Sequence, residues 1–272
     1  MSTVKHYHHH YHLSYTTSLR RHLSAIILAI IAVILLSLVG FSFVFPAKNV
    51  ININDVSPLA LLFASIFTLS RLTIAYFACL FLSIPLALLI TLNPRVERVL
   101  LPFFDIIQSI PILAFFPLIV LIFIRINFYE GAAIFVLIMS MVWALTFSMV
   151  GGLKTIPEDV KSAAFVFKVT GFKKLRYITL PSIFPYIVTG SLLSWGAGWN
   201  ILIVAEVLHT YIPGGTSSQD LFGLGSLLVN ATYHGRNLVF IASLACMIIL
   251  IGLLNFFVWQ KLLHKAESFK YD

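Results

Sequence analysis

The residues of this chain best suited to do work lie in one polar island and at a few positions inside otherwise apolar runs. The island begins Thr155-Ile156-Pro157-Glu158 and passes through Ala163, Ala164, Lys168 and Gly171 to Leu180 and Pro181. Its chemistry is recognition rather than bond-making. Thr155-x-x-Glu158 reads as a capping box that starts a helix near Ile156, with Asp159 close to the positive end of its dipole. Val160, Ala163, Ala164 and Phe167 then recur at i, i+3, i+4 and i+7, one apolar face, with Lys161 and Lys168 off that face. Gly171 reads as a left-handed cap, and a second short helix over 172–179 carries Lys173, Lys174 and Arg176. A loop that only set topology would need the charge but not the cap, the Ala-Ala pair or the Gly. This one predicts a docking elbow.

Ser109, Pro111, Asn200 and Glu206 are the candidates for a pathway or gate. An ionisable side chain inside a membrane span is costly, which makes Glu206 a functional candidate, although its place near a span end also lets it meet water. Ser109 and Pro111 belong to a segment with Pro102, Pro117, Asp105 and Gln108. Each proline removes a backbone donor, and the freed carbonyls need protein or a water-filled cavity. Lining a pathway and polar contact between helices both remain open. No Ser/His pair, Asp pair or His-Glu-x-x-His lies within an apolar run, which argues against an intramembrane enzyme. No Gly-rich phosphate loop exists, so the chain cannot be its own ATPase. His6, His8, His9, His10 and His12 form a tract of a metal-binding type. No carboxylate or cysteine joins it, and it reads as a polar tail; no metal site is expected.

The elements that must position these residues are set by composition. Of 272 residues, 60% are apolar and 10% charged, against about 25% charged in soluble domains. A mean hydropathy of +0.98 makes the bilayer the solvent. A span needs roughly 20 helical residues, and the stretches 24–45, 59–92, 101–124, 131–151, 183–208 and 238–260 qualify. They are continuously apolar, not alternating, which argues against a β-barrel. The second is too long for one upright crossing, so its first part up to Leu69 is expected along the outer interface, with Arg71 snorkelling to the headgroups. Residues 219–233 read as a short amphipathic helix. Cys79 and Cys246 read as small buried hydrophobes.

The net charge of +8 is an orientation signal rather than a nucleic-acid footprint. Lys48, Arg125 and Arg236 fall outside, Arg71 near the start of a span, and the rest of the eighteen Lys and Arg inside. That bias predicts six crossings with both termini cytoplasmic.

The island resembles the cytoplasmic EAA loop of binding-protein-dependent ABC importer permeases, whose pattern is Glu-Ala-Ala, three residues, Gly, nine residues, Ile, one residue, Leu-Pro. Ala163, Ala164, Ile178, Leu180 and Pro181 fall in register; Ser162 stands where Glu is usual and Lys168 where Gly is usual. Gly171 is expected to take over the turn. Residues 71–89 and 108–117 are similar to the nitrate, sulfonate and taurine permeases. Residues 198–206 with Gly223-Leu224-Gly225 are similar to the C-terminal half of duplicated anion permeases.

The resemblance implies an all-α type I transmembrane domain of six helices and an importer of a small anion working by alternating access. Glu158, Ala163, Ala164, Lys168, Gly171, Leu180 and Pro181 would couple to separate ABC ATPase subunits, which hold ATP and Mg. An extracytoplasmic substrate-binding protein and a second permease subunit, a copy or a paralogue, would complete the assembly in the inner membrane of a prokaryote. The division is then 1–22 a His-rich tail, 23–46 a first transmembrane helix, 58–263 the permease domain with its coupling loop 152–181, and 264–272 a cytoplasmic tail. The alternative is an ion-coupled secondary transporter, for which a halved repeat with paired mid-membrane charges would be expected; neither is visible.

Overall fold

The computed structural model describes residues 57–269, and every regular element among them is helical. The first span, the His tract and the end of the tail lie outside the described residues. Helix α1 (Pro58–Leu92) starts on Ser57, whose hydroxyl accepts from the Ala60 amide, and stops at extended Asn93. Then follow α2 (Pro94–Ser109), α3 (Ile112–Arg125), α4 (Tyr129–Lys154), the elbow helices α5 (Glu158–Val166), α6 (Gly171–Lys174) and α7 (Leu180–Ser182), and α8 (Phe184–Glu206). A loop over residues 207–223 leads to α9 (Leu224–Tyr233). Last come α10 (Asn237–Leu254) and α11 (Gln260–Glu267), joined by a π-helical turn, so this helix runs past its expected end at 260.

Among the described residues, four helices are long and apolar enough to cross a membrane: α1, α4, α8 and α10–α11. The predicted span 101–124 is different. It is two helices, α2 and α3, bent by 83°. Ile110 precedes Pro111, and the proline ring pushes it out of the helical region to φ −77°, ψ 124°. No residue of α2 is buried against the rest of the fold.

The core forms around α4. Leu137, Met141, Leu145 and Met149 repeat every four residues and are fully buried, one stripe facing inward. Helix α8 presses on that stripe because Gly198 has no Cβ; one there would lie 2.8 Å from Leu72 and 3.0 Å from the Met141 sulfur. Gly196, by contrast, faces open space, and α8 stays unbroken through both glycines. Small hydroxyls tie the helices together: Ser194 donates to the Met141 carbonyl (2.7 Å), Ser148 to that of Tyr186 (2.7 Å) and Thr146 to Ser83 (2.9 Å).

Candidate functional site

The elbow is present but built differently from its sequence reading. Thr155 is not a helix N-cap; its hydroxyl donates back to the Gly152 carbonyl and closes α4. Helix α5 starts two residues later than expected, at Glu158 behind Pro157, and Glu158 pairs with Lys161 at 2.8 Å. The helix ends in a Schellman cap: Val169 donates to the Ala164 carbonyl and Lys168 to that of Phe165. The left-handed residue of that cap is Lys168 itself, at φ +53°. Gly171 does not take over the turn; at φ +58° it makes a second left-handed corner at the start of α6.

The chain then opens into a π turn over Leu175–Thr179, because Pro181 brings no amide and its ring would crowd the carbonyl four residues back. Ala164 is buried, whereas Ala163 is exposed. The expected apolar face is therefore split. Ala164 packs inward, and Phe165, Phe167, Phe172 and Tyr177, each at least 70% exposed, stand on the outside with Lys173, Lys174 and Arg176. Leu180 and Pro181 are half-buried, leading into α8.

At the other end of α8, Glu206 is fully buried. Arg71 does not snorkel to headgroups; it is 2% exposed and meets two carboxylates. Its Nε and Nη2 donate to the two oxygens of Glu130 (2.6 and 2.8 Å), and its Nη1 to Glu206 Oε1 (2.8 Å) and the Phe222 carbonyl (3.0 Å). Thr68 donates to Glu206 Oε1 (2.7 Å) and accepts from the Leu224 amide (2.9 Å). Glu206 Oε2 accepts from the Gly225 amide (2.7 Å), so the carboxylate also sits at the positive end of α9. A Cβ at residue 223 would lie 2.2 Å from Glu206 Oε1, so only glycine leaves room for the carboxylate. Charges this deep need partners on every side, and here four segments supply them. Arg71, Thr68 and Glu130 were missed in the sequence. The usable signal was Arg71 itself, a cation inside a span that demands opposite charge at the same depth.

The remaining pathway candidates lie apart from Glu206. Ser109 and Pro111 are exposed at the α2–α3 break, and Asn200 is exposed on α8. Ser109 donates to the Asp105 carbonyl and Gln108 to the Asp105 side chain, so these polar groups are satisfied within α2. Beside the break opens a mainly apolar cavity of about 720 Å³, lined by Gln108, Pro111 and Ile112 and, across from them, Ser140 and Trp143 of α4. The Ser140 hydroxyl there is buried without a hydrogen-bond partner.

Residues 80–266 match the family described as binding-protein-dependent transport system inner membrane component. The chain belongs to that family. It is a multi-pass membrane protein. It is 29% identical to the bicarbonate transport system permease protein CmpB of Synechococcus elongatus, over 57% of this chain and 54% of that protein. It is 28% identical to the nitrate import permease protein NrtB of Leptolyngbya laminosa, over 58% and 56%. The taurine transport system permease protein TauC of Escherichia coli is 28% identical, over 52% and 50%. The chain thus spans about half the length of these curated relatives.

Proposed function

We propose that this permease is the translocation subunit of an ATP-driven importer of a small oxyanion or sulfonate. The observation that carries the reading is the elbow: a polar, basic turn in register with the EAA pattern, holding exposed aromatic side chains, which the positive charge would keep on the inner side. Its best-fitting partner is an ATPase subunit, where ATP and Mg would reside; a motion of that partner would pass through the π turn into α8. Six spans with both termini cytoplasmic, a pathway shared with a second permease subunit, and an extracytoplasmic binding protein at the outer loops complete the proposal. Bicarbonate, nitrate and taurine, named for the relatives, share compact negatively charged oxygen groups, which supports this substrate class.

Phe167 is the residue with which to test it, since it is 78% exposed and its loss leaves the core intact. Phe167→Asp is expected to abolish co-purification of the ATPase and to cut uptake about tenfold or more, as for removal of a central aromatic anchor, with the amount in the membrane unchanged. Normal co-purification and uptake would refute the docking surface. Wild-type uptake that survives ATP depletion but stops with an ionophore would favour the ion-coupled alternative.

A further inference from the structure

The outer loop 207–223 begins and ends on one residue. The Glu206 carbonyl accepts from the Leu221 amide at 2.9 Å, and its carboxylate holds the Gly225 amide beyond the loop. Within the loop, Asp220 accepts from the His209 main-chain amide (2.9 Å) and lies 2.7 Å from the His209 Nδ1, so the two limbs are tied together. At its far side, Tyr211 packs edge-on against Phe116 of α3 with ring centroids 4.5 Å apart, and Phe116 is fully buried. Phe222 packs against Phe67 of α1. The loop is thus a stiff flap hinged at Glu206 and seated on the second half of the broken span.

The hinge is held by charge, where apolar packing would usually serve stability as well. One guanidinium faces two carboxyl groups in the Arg71–Glu130–Glu206 cluster, and Thr68 and the Gly225 amide of α9 donate to the Glu206 oxygens. Glu130 is one-third exposed, so the network is sealed at Glu206 and open to its surroundings at Glu130. Such an arrangement can exchange buried partners for water along one route.

We infer that Glu206 and Arg71 are positioning residues that latch the base of the loop 207–223 to α1 and α4, and so seat Tyr211 on Phe116 of α3, and that this latch must release and re-form for an anion to pass. The inference rests on the import reading above, and one readout is chosen to be independent of it.

The test uses the assembled complex in lipid nanodiscs and proteoliposomes. Glu206→Gln keeps the size of the side chain but turns an acceptor toward the Gly225 amide into a carboxamide that cannot satisfy both sides. Hydrogen exchange over 207–226 is expected to quicken by about tenfold or more, with α4 and the middle of α8 unchanged. Uptake of bicarbonate, nitrate and taurine, each supplied as a probe, is expected to fall by a similar factor while ATPase co-purification stays normal. If Glu206→Gln does not assemble, the double variant Arg71→Met/Glu206→Met supplies a well-packed apolar core in its place and is expected to assemble yet not transport. Exchange that quickens throughout α4 and α8, or does not quicken at all, makes the cluster a plain structural staple and overturns the latch. So does full uptake by either variant. A wild-type complex that takes up none of the three anions defeats the import reading instead, and the exchange pattern still decides whether the loop is latched.

Discussion

Lys168 carries a conformational load that its family pattern assigns to glycine. At φ +53° its Cβ crowds the following carbonyl, at a cost of about 1–2 kcal/mol for an L-residue. The Schellman bonds from Lys168 and Val169 hold it there. The side chain is exposed, so nothing it touches recovers the cost. Lys168→Gly is therefore expected to firm the elbow by up to about 1 kcal/mol, less what glycine loses through a freer unfolded chain. Lys168→Val, β-branched and worse in this region, should loosen it by at least as much. Local opening is read by trypsin cleavage at Lys173 and Lys174, both exposed on α6, where about 1 kcal/mol is roughly a fivefold change in the open fraction. Equal cleavage of the Gly and Val variants would remove the strain argument.

Among the elements, the broken span asks most of the sequence and was the least legible in it. Three prolines lie between 102 and 117, and each has the same local effect on a helix. Pro102 and Pro117 are absorbed inside α2 and α3, while Ile110-Pro111 turns the chain. The choice follows from how α3 fits α4, which no local pattern records. Pro111→Ala is expected to let the two helices draw into line. At about 1.5 Å per residue, their outer ends lie roughly 32 Å apart when bent near a right angle and about 45 Å apart when straight. Spin labels at Val96 and Ile124 would read a longer and broader distance; an unchanged distance would assign the bend to packing alone. The four unbroken apolar spans among the described residues, by contrast, were legible at their starts to within two residues, since length and hydropathy are properties of the chain itself, while the last runs past its expected end. The clamp was not, because Arg71 finds its partners 59 and 135 residues away. The elbow falls between these cases: its place and charge could be read, but its cap could not, since Thr155 serves the helix before it.

For the whole molecule, the open question of orientation turns on α8. The described helices make up to five crossings if the bent pair counts as one, which puts Ser57 and Glu267 on opposite sides. The exposed basic residues of the elbow stand before α8, and the loop latched by Glu206 stands after it. Both the docking surface and the flap lose their meaning unless this one helix separates them. Its 23 residues extend about 35 Å, enough for a hydrocarbon core of about 30 Å. Cysteine labelling tests this directly, since Cys79 is fully buried, Cys246 is partly so, and neither is paired. In a Cys79→Ala/Cys246→Ala background, Ser218→Cys is expected to react with a membrane-impermeant maleimide in right-side-out vesicles, and Lys173→Cys only in inverted ones. Reaction of both from the same face would mean that α8 does not cross. Reaction of each from the unexpected face would invert the protein against its own positive charge, and the elbow could no longer meet an ATPase in the cytoplasm.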